Sequence, residues 1–286
     1  MSDDHSMVRV PTYIPSVDKI LGGGVPIGST ILLLTEPGAG GPEFLFTSLV
    51  NYCREIKGDL PATSGATRPD MIYYITPKTS RTQFVEMMKQ QFSFLNTIDF
   101  EGEILDKSVI HMDVGDVYFA RTIVPLSWYS TKTIPEHLMD LPPYDDYGGL
   151  AYLTGMVETT KENSVVFVDS LTPYLPYFND YEKWQNLVFL MYGLSRAAKK
   201  RKITFVILLT SDILPESREI SLGNAFDAII HLVWQKSRES MSRQRQMYIE
   251  KFISVLPLLS SRDIATYNVS ISPETGFEIS NLRRVA

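Results

Sequence analysis

The chain holds one cysteine, Cys53, among 286 residues. No internal disulfide can form, which favours a reducing compartment. No apolar run approaches the roughly 18 residues that a membrane-spanning helix requires. The first seven residues are polar and acidic, unlike a secretory signal. These absences predict a soluble, cytoplasmic protein with no membrane partner. Positive charge is also scarce: 27 Lys and Arg against 33 Asp and Glu leave a net charge of −6. General nucleic-acid binders draw much of their affinity from neutralised phosphates, so this balance argues against DNA as a partner. His5, His111, His137 and His231 share no metal-ligand spacing with cysteines or acids, and no metal site is expected. No G-x-S-x-G or comparable nucleophile signature appears.

What is present is an ordinary globular composition, 44% apolar and 21% charged. Residues 30–34, 71–75, 109–112, 165–168 and 203–209 are short, nearly continuous apolar runs rich in Val and Ile. Strands covered on both faces have this character. Between them, helical spacing recurs, as in Phe44, Leu45, Leu49, Tyr52 and Ile56, and in Trp184, Leu187, Val188, Met191 and Leu194. Strand alternating with helix predicts an α/β fold in three layers around a mainly parallel sheet. After Phe226 the pattern changes. Residues 228–234, 246–252 and 266–271 read as strands without intervening helices, which predicts an antiparallel extension. No linker divides the chain, so one domain is expected over residues 8–279, with tails at 1–7 and 280–286. Two irregular stretches, 59–69 and 125–149, stand outside this frame, either as functional insertions or as decoration. Cys53 falls on the apolar side of its helix and reads as a small core residue.

Residues 22–44, GGGVPIGSTILLLTEPGAGGPEF, place a strand, a glycine-rich turn and a helix in succession. That is the architecture of a phosphate-binding loop. The preceding stretch, IPSVDKILGGGVPIGS at 14–29, resembles the opening of the KaiC-like and RadA-like ATPases of the RecA superfamily. Their first core strand follows a G-(I/L)-x-x-L-D-x-x-L-G-G-G-(I/L)-P-x-G-S segment. VVFVDSLT at 165–172 resembles the family's Walker B strand, which puts Asp169 in the magnesium position. FVILLTSD at 205–212 resembles the strand after it, and Lys251 falls on the lysine of the family's K-M-R-G segment. The resemblance implies a RecA-like P-loop NTPase fold in an archaeal or bacterial cytosolic protein.

The departures from that pattern set the functional expectation. A working loop reads G-x-x-x-x-G-K-(S/T), and here Thr35 replaces the first glycine, Gly41 the lysine and Pro42 the magnesium-binding hydroxyl. Proline also lacks a backbone donor. Glu36 and Glu43 flank the loop, and at about 4 Å and an effective dielectric near 20 each carboxylate–phosphate contact costs on the order of 4 kcal/mol before screening. The family's water-activating acids follow its second core strand, where this chain has Lys78 and Thr79. Ile253 stands at the arginine of K-M-R-G. The candidate site is therefore a vestigial phosphate loop, Thr35, Glu36, Pro37, Gly38, Ala39, Gly40, Gly41, Pro42 and Glu43, with Asp169 at Walker B and no catalytic residue. In a purely structural reading, Pro42 and Glu43 simply suit the first turn of a helix. Residues 199–202 would likewise do no more than complement a helix end.

The expected function is a non-catalytic, KaiC-like pseudo-ATPase that regulates or signals by binding another protein, such as an active KaiC-like relative. It would be a monomer or small oligomer rather than a nucleotide-held hexamer, with no resident cofactor. Two alternatives stay open. A sensor would bind ATP with magnesium without hydrolysing it, through Gly38–Gly41 and Asp169. A recombination accessory protein resembling RadA paralogues would bind single-stranded DNA, through residues 199–202 and Arg238, Arg243 and Arg245. The amides of residues 38–41 form a concave run that attracts an anion. Glu43, ahead of Glu36, is expected to fold back and fill that place.

Overall fold

The computed structural model describes residues 7–120, 122–134, 136, 150–236, 243–258 and 266–281. The chain opens with β1 (Arg9–Val10), α1 (Pro15–Ile20) and β2 (Val25–Pro26), where β1 and β2 form a small antiparallel pair. The glycine run between them has a steric cause. Gly24 sits at φ +120°, and a Cβ there would lie 2.3 Å from the Val10 carbonyl oxygen. Only glycine lets β2 fold back this closely. Arg9 locks the turn by donating to the Leu21 and Gly24 carbonyls at 3.0 and 2.9 Å.

The main sheet begins with β3 (Thr30–Thr35), followed by α2 (Gly41–Lys57), β4 (Met71–Thr76) and α3 (Arg81–Gln91). Next come β5 (Val109–Asp113), α4 (Gly115–Phe119), α5 (Leu150–Thr159), β6 (Ser164–Val168), α6 (Tyr181–Arg201), β7 (Thr204–Thr210) and α7 (Glu216–Gly223). The last strands are β8 (Ala228–Lys236), β9 (Arg243–Phe252), β10 (Tyr267–Ser272) and β11 (Gly276–Asn281). The nine strands lie in the order β11-β10-β9-β8-β3-β7-β6-β4-β5. From β8 to β5 the pairs are parallel; β9, β10 and β11 are added antiparallel.

Alternation along β3 assigns its side chains to two cores. Ile31 and Leu33 pack with α1, α2 and α3, whereas Leu32 and Leu34 pack with α6 on the opposite face. The expected three-layer α/β architecture, parallel with an antiparallel C-terminal extension, is the observed one. Strand β11 had no counterpart among the expected strands, and it runs to Asn281, into the stretch read as a tail. The 59–69 stretch is tied to β1 through Thr67 N, which donates to Arg9 O at 2.7 Å. The 125–149 stretch falls largely outside the described residues. Cys53 is fully buried in the α2 core. Among the described residues no helix is long and apolar enough to cross a membrane.

His111 on β5 is buried against Phe84, with ring centroids 4.6 Å apart, and neither ring nitrogen has a hydrogen-bond partner. Burial, aided by Arg81, pulls its pKa from 6.5 down to about 4. Between those values the unfolded chain takes up a proton that the native state refuses, so stability falls as pH drops through this window. Asp18 works in the opposite sense, because burial raises its carboxyl to about 6 and the native state protonates first. The contribution of His111 is therefore read as a difference. In urea titrations from pH 7 to pH 4, His111→Phe should lose less stability than the unmodified protein. Parallel pH profiles would show that His111 is not buried as described.

Candidate functional site

Parallel register brings the strand ends level: Thr35 pairs with Thr210 of β7 and Leu232 of β8, and Ile75 of β4 pairs with Val168 of β6. Open α/β sheets bind ligands beyond such carboxyl ends. Residues 36–40 connect β3 to α2 at this edge. The β8–β9 ribbon holds them from outside. Trp234 N donates to the Glu36 carboxylate at 3.1 Å, and the Trp234 indole donates to Pro37 O at 3.0 Å. Arg245 Nε donates to Gly38 O at 2.9 Å while its guanidinium sits 4.6 Å from the Trp234 ring centroid.

The inner side of the loop is packed just as closely. Ala39 is fully buried, and its amide donates to Glu36 O at 2.9 Å. Gly40 precedes α2 at φ +114°, where a Cβ would come within 3.0 Å of Ile271 and 3.1 Å of Phe277. At Gly41, the position of the family's lysine, a Cβ would lie 2.7 Å from Leu208 Cδ1 and 2.9 Å from Thr35 Cγ2. Position 41 thus lacks room even for a methyl group unless its neighbours move. Thr35, in place of the first glycine, is one reason. The fit to a magnesium nucleotide fails on these observations: no space for the lysine, no hydroxyl and no amide hydrogen at Pro42.

Glu43 does not fold back over the loop. Its Oε2 atom is buried without a hydrogen-bond partner, and Glu36 is engaged by the β8 amide instead. Backbone geometry accounts for the difference. An acid three residues into a helix reaches the cap amide when the cap residue is extended. Ser80, at φ −66° and ψ 164°, meets that condition and forms such a box with Gln83. Gly40, at φ 114° and ψ 15°, is left-handed and does not.

Asp169 follows β6 and is nearly buried, with 7% of its side chain exposed. Both carboxylate oxygens are engaged. Oδ2 accepts from the Tyr74 hydroxyl at 2.6 Å, and Oδ1 pairs with Lys78 Nζ at 2.7 Å. Burial and the Asp169 charge hold the Tyr74 hydroxyl well above its ordinary pKa, so it remains a neutral donor. Lys78 stands where the family has a water-activating acid, and its ammonium is the cation that Asp169 faces. The capping box at Ser80 starts α3 two residues later and fixes the turn that delivers Lys78.

Several of the other cations singled out in the sequence are also engaged in the fold, whereas Lys200, Lys202 and Arg243 are exposed. Lys251 Nζ donates to the carbonyls of Gly223, Asn224 and Phe226 at 3.2, 3.3 and 2.7 Å, capping the end of α7. Burial lowers its pKa. Lys199 pairs with Asp227 at 2.6 Å, and Arg201 donates to the Val157 and Thr160 carbonyls near the end of α5. His231 meets Glu250 at 2.5 Å and stacks on Tyr248. His5, His137 and Arg238 lie outside the described residues. Among the described residues no group of three or more His, Cys, Asp or Glu is placed to hold a metal ion.

The packing around Gly41 has a measurable consequence. Gly41→Ala should destabilise the protein by about 1–3 kcal/mol, since the added methyl must displace Leu208 or Thr35. Chemical denaturation checks this, and unchanged stability would mean that the loop has slack.

No known family model and no curated protein matches the chain. Among solved structures, a KaiC-like protein from the hyperthermophilic archaeon Pyrococcus horikoshii OT3 superposes with a TM-score of 0.61 at 16% identity. The match covers 96% of this chain and 100% of that one. The strand order, the layers and this likeness together give the chain the RecA-type fold of a KaiC-like protein.

Proposed function

We propose that the chain is a non-catalytic KaiC-like protein, a regulatory or signalling module that works by binding another protein and not by turning over ATP. One observation carries this reading: Lys78 and Tyr74 occupy both oxygens of the Asp169 carboxylate. The charge that magnesium would supply comes instead from a side chain of the same chain. A lysine ammonium already neutralised by a carboxylate is also no general base at neutral pH. The closed packing at Gly41 and the proline at position 42 support the same reading from the loop side. Lys251 is spent on the end of α7 and Ile253 replaces the family arginine, which speaks against an assembly held together by shared nucleotide. A partner such as an active KaiC-like relative fits a chain that keeps the fold without the chemistry. A cytoplasmic setting accords with the single buried cysteine.

A nucleotide sensor is the second reading. What favours it is that no carboxylate takes the amides of Gly38, Gly40 or Gly41, so an anion acceptor is not already supplied from within. Single-stranded DNA binding has less behind it, because Lys199, Arg201 and Arg245 are committed to contacts within the chain.

Three measurements test the proposal. With magnesium and ATP the purified protein should release phosphate no faster than the buffer, and turnover that disappears in Asp169→Ala would overturn the non-catalytic reading. Calorimetric titration with ATP or ADP should give no saturable heat. One-site binding at micromolar affinity without turnover would promote the sensor instead. Light scattering should return one size with and without magnesium and ATP, and growth to a hexamer would count against a nucleotide-independent assembly.

A further inference from the structure

Beyond the carboxyl ends of β4 and β5 the surface opens into a cleft of about 710 Å³. That volume is within the range of small-ligand sites. Its walls come from residues 77–83, 113–119 and 124–132, and Lys78 separates it from Asp169. No part of the vestigial loop lines it.

The charges in this cleft do not balance. Lys78 is paired with Asp169, and Lys132 Nζ lies 3.1 Å from Asp116 Oδ2. Asp113, the last residue of β5, accepts from Gly115 N at 2.8 Å. No Lys, Arg or His among the described residues lies within ion-pairing distance of it. Asp113 is exposed to solvent, and partial burial with the nearby Asp116 raises the pKa of its carboxyl. Among the described residues, two ammonium groups thus stand against three carboxylates. An anionic ligand would have to compete for lysines that are already neutralised. Among the described residues a metal ion would find only Asp113 and Asp116 as acids, with no third acid or histidine to complete its ligand set.

Three of the other lining residues, Phe119, Trp128 and Tyr129, are aromatic, among serines, Thr131 and Gln83. Phe119 and Tyr129 pack with ring centroids 5.5 Å apart, and Trp128 is 77% exposed. A carboxylate without an ion-pair partner among the described residues, beside the exposed Trp128 ring, suits a nitrogen cation, held by a charge-assisted hydrogen bond and by cation–π attraction. We propose that this cleft binds an organic cation, an ammonium or guanidinium group on an apolar stem, with Asp113 as counter-ion and Trp128, Tyr129 and Phe119 as its walls. The same chemistry occurs in free amines and on the Lys and Arg side chains of a peptide.

Calorimetric titration of the full chain would use three probes: agmatine, N-acetyl-Gly-Arg-Gly-amide and the neutral N-acetyl-Gly-Gln-Gly-amide. One saturable site is expected for a cationic probe and none for the glutamine peptide. Preference for agmatine assigns the site to free amines, and preference for the arginine peptide assigns it to a protein side chain. Asp113→Asn can keep the bond from Gly115 N while removing the charge. It should weaken the cation by about tenfold or more, the loss expected for one charge-assisted bond. Trp128→Leu should weaken it less, and both variants should keep the circular dichroism and melting temperature of the parent. Either of two results overturns the proposal: no saturable binding of either cation at millimolar concentrations, or undiminished binding to a folded Asp113→Asn protein. The readout needs neither ATP nor the loop at residues 35–43, so it stands or falls separately from the non-catalytic reading.

Discussion

The pairing of Lys78 with Asp169 depends on strand register together with the capped turn that carries Lys78. The two residues are 91 positions apart in the chain. They meet because Ile75 and Val168 are level across the β4–β6 pair, so each chain leaves the sheet at the same height. A one-residue slip in either strand would turn every side chain of that strand to the opposite face. Tyr74 depends on the same register, since its hydroxyl reaches Asp169 from within β4. A buried carboxylate needs a cation or hydrogen bonds, and the cost of leaving one without either is several kcal/mol. Here the sheet supplies both partners from a single strand and the turn after it.

This arrangement bears on what a lysine at position 78 does. Replacing an acid by a lysine would bring an unbalanced positive charge to the edge of the sheet if Asp169 already faced a metal ion. With the lysine paired to Asp169, the charge is satisfied inside the chain. The loop follows the same logic. Thr35 fills space beside Gly41, and the Trp234–Arg245 stack covers Pro37 and Gly38, so the loop keeps a fixed shape through protein contacts alone. The proposed non-catalytic function rests on these substitutions as a set.

Much of the fold was legible in the sequence because buried parallel strands are short apolar runs. Residues 30–34 and 203–209 fall within one residue of Thr30–Thr35 and Thr204–Thr210. Strand β11 was missed although Phe277 and Ile279 alternate with polar neighbours, because a single short hairpin strand near a chain end gives little periodicity. At the site, losses were legible and replacements were not. Gly41, Pro42 and Lys78 can be read as departures from a motif. That Lys78 then turns to Asp169, or that Trp234 and Arg245 close over the loop, involves partners 91 to 207 positions away. No local spacing carries that information. The expectation for Glu43 failed for a different reason: reaching the cap amide needs an extended cap residue, and Gly40 is left-handed.

The crowding at Gly41 also bears on the protein's evolutionary history. A lysine could not enter position 41 in a single step, because its Cβ would meet Leu208 and Thr35 before the side chain reached any phosphate. Leu208 or Thr35 would have to give way first, and that change alone brings no compensating gain. Pro42 adds another barrier, since the hydroxyl and the amide hydrogen are absent together. A route to a phosphate-binding loop would therefore pass through intermediates that are less well packed and still lack its donors. Side-chain packing at one turn acts as a ratchet on how this loop can change.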